Sequence, residues 1–461
     1  MVDGFNKVHP GGRVNGEEII EWVATATGRS VTGVSRVGYG SSRATYLIDS
    51  PQGDLAARVD TGQGPMAGTE LTLDREAEVY RALANTPVRI PQLHAVAPGG
   101  RALLVDRAPG SHELAHLPAP DKATVFDDYI DAIAEIHTLD VNTLSLPSYR
   151  RPTSSVENAT NEIELWGRIF DERAVKPWPF VSFARRVLGE CAPTEVERTV
   201  LCHGDVGPGN FVHHDGRVSA VLDWEFSHVG DPMDDLGWWV FRGHEFSGDC
   251  GDLAAQLRRW SKATGLPVDK NRIEYYKAVV MWRWLVSVAP VIDRGGSSMD
   301  RSVHHSLVPI LGVRLAKALA GLLGIELPHC EVIPSDGSGI ASDIIDVLQQ
   351  DLNEVVAPDV NGNEARRRLA GSALFFDHIR TCDRIGATIE SLSLDDASAL
   401  LGQCVSDRGM AEGLIRTRID EKTLSTDDAL LYFWREAHRT VSLWPALQPK
   451  AFGRVVDVPE I

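Results

Sequence analysis

The chain has 461 residues, of which 43% are hydrophobic and 24% charged. That composition excludes disordered, collagen-like and fibrous classes, and the length exceeds what one core fills, so two or three domains are expected. A net charge of −18, from 46 basic and 64 acidic side chains, opposes binding to nucleic-acid phosphates or anionic membrane surfaces unless a local basic patch overrides it. The six cysteines, at 191, 202, 250, 330, 382 and 404, form no CxxC pair. They suit a reducing cytosol better than a disulfide or zinc framework. The N-terminus shows no apolar signal core. The stretch from Ala278 to Ile292 is short and carries Arg283, which predicts a buried helix rather than a membrane span. The expectation is a soluble cytoplasmic protein with neither nucleic acid nor membrane as partner.

In chain order, residues 17–28 read as a short amphipathic helix closed by Gly28. A strand, a Gly-rich turn, a second strand around Tyr46-Leu47-Ile48, the turn Pro51-Gln52-Gly53-Asp54 and a third strand follow. Residues 70–84 have helical spacing, and further strands are predicted at 92–97 and 102–106. From Ala119 the pattern turns helical, with segments near 121–140, 157–174, 178–191, 252–264, 271–289 and 303–323. Two short β-like runs, 210–213 and 220–224, interrupt it. A Pro, Ser and Gly cluster at 327–339 reads as a linker. Beyond it three apolar stripes predict helices: Ile344 to Val356, Phe375 to Leu392, and Leu430 to Val441. Ser393 and Ser425, each with Asp three residues later, read as N-caps. From residue 330 onward there are 22 acidic and 13 basic residues, half of the net negative charge. An acidic helical tail of this kind is most often a solvated face.

The segment 201–239 carries the chemistry. Asp205 lies in a loop with Gly204, Gly207 and Gly209, Asn210 follows five residues later, and Asp223 opens Asp223-Trp224-Glu225 after a predicted hairpin. Phosphoryl transfer needs a carboxylate to orient and deprotonate the acceptor hydroxyl, and an amide oxygen with a second carboxylate to hold Mg²⁺ against the nucleotide phosphates. A hairpin between Asn210 and Asp223 folds those two ligands side by side. The paired histidines 213–214 and 304–305 read as exposed turn and helix residues without a metal role. Most of the tryptophans read as core, with one or two available to line an acceptor cleft.

His203-Gly204-Asp205-x4-Asn210, Asp223-Trp224-Glu225 and Gly230-Asp231-Pro232-x2-Asp235-Leu236 together resemble the aminoglycoside phosphotransferase / choline kinase family. The resemblance spans roughly residues 17–325 and is most specific at 201–239. It implies an α+β, protein-kinase-like bilobal fold: a nucleotide-binding N-lobe over 17–110, a helical C-lobe over 111–326, the linker, and a helical accessory module over 340–461. It makes Asp205 the catalytic base, Asn210 and Asp223 the Mg²⁺ ligands, and His203, Asp231 and Asp235 braces of the loop. For the nucleotide, ATP with GTP as an alternative, it implies the turn Gly38, Gly40, Ser41, Ser42 and Arg43, the cation Arg58, its partner Glu76, and a hinge at Asp106 and Ala108. The chain departs from the pattern twice. Arg43 stands where a third turn glycine is expected, and Arg58 where lysine is expected, as in one branch of the family. Arginine keeps the charge but brings a planar, forked geometry.

The fold does not set the acceptor. Leu222-Asp223-Trp224-Glu225-Phe226-x3-Gly230-Asp231-Pro232-x2-Asp235-Leu236-Gly237-Trp238 is similar to a subgroup of hydroxyacyl-CoA kinases associated with acyl-CoA dehydrogenases, whose members carry an accessory module like the tail here. A hydroxyacyl-CoA is therefore the favoured acceptor, with Arg150, Arg151, Arg242 and Arg283 as candidates for its phosphates. The alternatives are an aminoglycoside, amino-alcohol or sugar kinase, and a silent pseudokinase scaffold. The tail is a candidate for oligomerisation.

Overall fold

A computed structural model of the chain describes residues 16–37, 43–62, 64–248, 250–295, 301–335 and 339–461. By contact, these divide into two compact units that interleave along the sequence. One holds the described residues up to Glu162, Ala192–Lys277 and Val456–Ile461; the other holds Ile163–Cys191 and Ala278–Val455.

The first unit opens with helix α1 (Gly16–Thr27), whose first turn carries Glu17 and Glu18 at the positive end of the helix dipole. Gly28 ends it with φ +70°, a left-handed conformation that suits glycine. Strands β1 (Gly33–Val37), β2 (Arg43–Asp49) and β3 (Leu55–Asp60) precede helix α2 (Leu73–Leu83), and β4 (Leu93–Val96) and β5 (Ala102–Asp106) complete an antiparallel sheet ordered β1-β2-β3-β5-β4. Burial alternates along β2 and β3, as the two-residue period of a strand requires. Ala44, Tyr46, Ile48, Leu55, Ala57 and Val59 pack with Ile19 and Val23 of α1. The intervening residues of β3, Arg58 among them, project from the opposite face. Thr72 caps α2, its hydroxyl accepting from the Arg75 N–H at 3.3 Å.

Helix α3 (Ala119–Thr138) follows, then α4 (Glu157–Arg173), which begins in this unit, and α5 (Pro179–Glu190), which belongs to the other. The first unit resumes with β6 (Val200–Cys202), the hairpin β7 (Phe211–His214) and β8 (Arg217–Val221), and β9 (His228–Gly230). β9 pairs antiparallel with β6. Asp215 and Gly216 close the hairpin with φ of +48° and +76°, as a two-residue type I′ turn demands. Helix α6 (Met233–Trp238) runs into a π-helical segment, Trp239–Ser247, and helices α7 (Leu253–Thr264) and α8 (Lys270–Arg294) follow. The strands β6 and β9, α6 and the π segment were not foreseen from the sequence; each is too short to show a period. A buried ion pair, Lys277 Nζ to Glu245 at 2.6 Å, holds Val456 by both backbone groups: Lys277 donates to its carbonyl, and its N–H donates to Glu245, each at 3.1 Å.

The second unit contains α5, most of α8, α9 (Arg301–Leu323), α10 (Ser342–Asp351), α11 (Asn363–Leu401), α12 (Arg408–Asp420), α13 (Thr426–Ser442) and α14 (Gln448–Ala451). Its core joins Val313 and Ala316 of α9 to Trp434, Ala437 and Val441 of α13, with Leu327 and Cys330 packed against them. The irregular stretch after α9 is thereby fastened, and Trp434 Nε1 also donates to the Pro328 carbonyl at 2.9 Å. Among the described residues α9 is the helix long and apolar enough, by length and composition, to cross a membrane, rather than residues 278–292; half of its apolar window is buried in the fold.

Two sequence expectations fail here. Ser393 lies inside the long α11 rather than at its start, and its hydroxyl donates to Glu436 at 3.0 Å. The three-residue Ser/Asp spacing also occurs inside amphipathic helices, so it does not locate an N-terminus alone. Of the stripe from Ile344 to Val356, Ile345 is buried while Ile344, Leu348, Val355 and Val356 are exposed. Ser425 does cap α13, accepting from the Asp428 N–H.

Phe433 of α13 packs between Phe180 and Phe183 of α5 at centroid distances of 5.1 and 5.2 Å. Phe433→Ala is expected to cost about 3 kcal/mol and to lower the thermal midpoint of this unit by roughly 6–12 °C, read by circular dichroism.

Candidate active site

Strand β6 delivers the chain to His203-Gly204-Asp205. Gly204 has φ +79°, and a Cβ there would meet the Phe226 carbonyl oxygen at 2.0 Å. The loop therefore lies directly against the segment leading into β9, at a distance only glycine permits. Asp205 ends up largely buried, its side chain 16% exposed. One carboxylate oxygen accepts from Asn210 Nδ2 at 2.6 Å; the other pairs with the Arg242 guanidinium at 2.6 Å. Burial raises the Asp205 carboxyl above its usual range, and Asp223 adds to that, while Arg242 acts in the opposite sense. The result is a carboxylate more basic than a surface aspartate, as a proton acceptor for a hydroxyl should be.

Arg242 had been read as a CoA-phosphate candidate. It instead reaches back from the π segment, donating also to the Asp205 and Pro208 carbonyls at 3.0 Å each. Its side chain crosses Gly207, where an added Cβ would meet Arg242 Cδ at 2.5 Å. A wide π turn is a frequent feature of functional sites. No local sequence signal marks Arg242, because the contact is made across more than thirty residues.

Asn210 spends its amide nitrogen on Asp205, so its amide oxygen is left for another partner. The Leu222 N–H donates to the Asn210 carbonyl at 2.8 Å, which sets Asp223 beside Asn210. Asp223 adopts φ +67°, strained for a non-glycine residue and typical of functional positions. Burial works to raise its carboxyl, and the Arg58 guanidinium bonded to it, helped by His203 and Arg242, outweighs burial and holds it low.

Arg58 is the hub. It pairs with Glu76 of α2 at 2.8 Å and with Asp223 at 2.7 Å, and approaches Glu225 at 3.8 Å. Arg43 joins from β2, 3.0 Å from Asp60 and 3.9 Å from Glu225. Two guanidinium groups thus face four carboxylates. Burial, and then Asp223, push Glu225 up to about 8, and burial raises Glu76 as well. An amide oxygen and a carboxylate side by side, in a cluster with excess acid, fit a magnesium ion, which takes one or two protein oxygens and completes its shell with phosphate and water.

The loop is braced from below. Asp235 accepts from the Gly204 N–H with one oxygen, and from the His203 N–H and His137 Nε2 with the other, at 2.8, 2.8 and 2.9 Å. Trp260 Nε1 donates to His137 Nδ1 at 3.0 Å, so the His137 proton sits on Nε2. Burial alone would raise Asp235; the hydrogen bonds from His137 and the Gly204 N–H outweigh it and hold the carboxyl below its usual value. His203 accepts from the Asp205 N–H at Nδ1, at 3.3 Å, and donates from Nε2 to the Leu222 carbonyl, at 2.8 Å. Among the described residues the Asp231 carboxylate makes no hydrogen bond to the loop. It caps α6 through the Met233 N–H at 2.9 Å and faces Arg272 at 3.5 Å. His137 went unrecognised, although a histidine on the apolar face of α3 needs a buried partner.

Gly38, Gly40, Ser41 and Ser42 lie outside the described residues. Arg43 is buried and donates to the Leu71 carbonyl at 2.7 Å, so it anchors β2 rather than opening the turn. Asp106 bonds His94 at 2.6 Å; the half-buried Ala108 N–H makes no hydrogen bond among the described residues. Of the arginines assigned to CoA phosphates, Arg151 donates to the Val141 and Leu144 carbonyls at 2.9 Å each, Arg283 is 1% exposed, and Arg150 alone is exposed. His213 and His304 are buried rather than exposed.

The model of the phosphotransferase enzyme family matches residues 33–272, just over half of the chain. The chain belongs to this family. Curated relatives of this phosphotransferase include acyl-CoA dehydrogenase family member 11 of Gallus gallus, 29% identical over 185 residues, which are 38% of this chain and 23% of the relative. Another is acyl-CoA dehydrogenase family member 10 of Mus musculus, 24% identical over 211 residues, 43% of this chain and 19% of the relative. The chain thus spans about a fifth to a quarter of the length of these relatives. Among solved structures, a putative aminoglycoside phosphotransferase from Ralstonia eutropha aligns with a TM-score of 0.50 at 21% identity, covering 68% of this chain and 98% of that one. Choline kinase LicA from Streptococcus pneumoniae aligns with a TM-score of 0.48 at 19% identity, covering 67% and 98%. The first of these likenesses shows the kinase-like fold.

Two outcomes are expected of this phosphotransferase. The Asp205 carboxyl, followed by ¹³C NMR and identified by its loss in Asp205→Asn, titrates above the usual aspartate range. In Arg242→Gln it moves higher still, because removing the cation disfavours the charged form. Arg58→Met leaves the buried Glu76 without its cation and costs about 3–5 kcal/mol of stability in urea unfolding, whereas Arg58→Lys retains part of it.

Proposed function

We propose that this chain transfers the γ-phosphoryl group of ATP to a hydroxyl of a small molecule, and that the acceptor is a hydroxyacyl-CoA. The observation that carries the reading is the buried Asp205 carboxylate, oriented by Asn210 and Arg242 beside the Asp223 carboxylate. Asp205 takes the hydroxyl proton as that oxygen bonds to the γ-phosphorus, and ADP leaves with the electrons of the broken P–O bond. Asn210 and Asp223 hold magnesium, whose charge offsets that of the phosphate oxygens. Arg58 is available to exchange one carboxylate partner for phosphate oxygens, and the free Ala108 N–H is available to the nucleobase. The acyl-CoA part of the reading is supported by the names of the relatives, acyl-CoA dehydrogenase family members 10 and 11. Arg150, exposed at the surface, is assigned to a CoA phosphate. The reaction is placed in the cytoplasm, where the six cysteines stay thiols, and self-association is assigned to the helical tail.

A second reading, nucleotide binding without turnover, is favoured by one contact. The Arg58 guanidinium sits on Asp223, where a metal ion is needed.

ADP release from Mg-ATP is measured with 3- and 4-hydroxyacyl-CoAs, aminoglycosides and choline-like alcohols. Turnover with the thioesters, reduced about 10²–10⁴-fold in Asp205→Asn, is the expected result. Turnover with another class instead would sink the acyl-CoA assignment. Tight nucleotide binding without turnover on any acceptor would favour the scaffold.

A further inference from the structure

The second unit holds an open-mouthed cavity of about 660 Å³ that none of the chemistry above uses. That volume lies within the range of small-molecule sites, roughly 300–1,000 Å³. Its wall is apolar: Phe180, Leu285, Ile292, Val308 and Phe433 line it together with the Trp178 indole.

Three features make it more than a packing defect. Tyr432 lines it, is 5% exposed, and makes no hydrogen bond among the described residues. Its hydroxyl is not sealed from solvent, and it is available to a polar group of a ligand. His305, half-buried and without a hydrogen bond among the described residues, lines the same space. Burial and the nearby Arg301 lower its pKa, which keeps the ring neutral. Trp178, finally, holds φ +44°, a strained value for so bulky a residue. Asp293 enforces it, accepting from the Val175 and Lys176 N–H groups at 2.9 Å each and from Trp178 Nε1 at 3.0 Å. The indole is thus fixed in the wall in advance of any ligand.

The charges at the margin cancel. Lys176 and Arg408 are matched by Glu412 and Glu436, and Arg408 is already bonded to both acids at 3.2 Å. By count the lining thus carries no net charge.

We propose that this cavity binds an apolar molecule of medium size with one neutral hydrogen-bonding head, such as a hydroxyl, carbonyl or amide, which meets Tyr432 and His305. The site does not depend on the phosphotransferase reading, since its lining residues all belong to the second unit.

1-Decanol is titrated calorimetrically into the full chain. One saturable site is expected. Gly312 lines the cavity, and a Cβ there would have Ala437 at an ordinary 3.7 Å, so a Gly312→Leu side chain starts in ordinary contact and takes up cavity volume. It should weaken binding at least about ten-fold at an unchanged thermal midpoint. Tyr432→Phe keeps the ring, serves if Gly312→Leu does not fold, and should weaken binding about three- to ten-fold. Displacement of decanol by decanoyl-CoA identifies the chain as that of a thioester; retention identifies a separate small molecule, and the site stands in both cases. Heat without saturation, native affinity in folded Gly312→Leu or in Tyr432→Phe, or decanoate binding more tightly than decanol would each overturn the proposal.

Discussion

The arrangement of the active site turns on the guanidinium of Arg58. It has a carboxylate from α2 on one side and the carboxylate that follows the β7–β8 hairpin on the other. A lysine could neutralise Glu76, but as a point charge it could not offer two separately directed nitrogens to two acids. The fork therefore ties the sheet, α2 and the catalytic region into one electrostatic object. It also explains how Glu76, with a fully buried side chain, is tolerated there, since a lone buried carboxylate would be untenable. Burial works against the charge on Arg58, and Asp223, Glu76 and Glu225 together more than restore it.

Around that hub the carboxylates are driven apart in basicity. Asp223 and Asp235 are held low by the cations and donors that touch them, while Asp205 and Glu225 are raised by burial. Groups of one chemical type thus take different tasks: those held low stay ionised as anchors, and Asp205 is kept receptive to a proton. The bracing is mechanical as well. Asp235 pins two successive backbone N–H groups of the loop, which fixes the backbone on which Asn210 and Arg242 orient the Asp205 carboxylate.

Much of this was legible in the sequence, and the pattern of what was not is physical. The β2–β3 hairpin could be anticipated because its turn is written in Pro51-Gln52-Gly53-Asp54. Asp205, Asn210 and Asp223 stood out because a short loop and one hairpin fix their relation. Arg242 and His137 escaped, since their partners lie 37 and 98 residues away and nothing local announces such pairs. β6 and β9 have three residues each, too few for a period to emerge. Ser393 misled because a capping pattern is short enough to recur inside a long helix. The exposed face of α10 misled because an apolar stripe states what a helix would bury, not that a neighbour has come to cover it.

The Lys277–Glu245 pair, buried and clasping Val456 by both backbone groups, ties a segment from far along the chain into the unit that α1 begins. Assembly of that unit is consequently a long-loop closure, with all of α9 to α14 spooled out between its last two pieces. Closure of so long a loop is slow to find, and a vectorially growing chain cannot perform it until the intervening helices have emerged. The helical tail is therefore not a detachable appendage in the topological sense. Cutting within 327–339 leaves an ammonium and a carboxylate in a dry interior facing backbone groups that are no longer there.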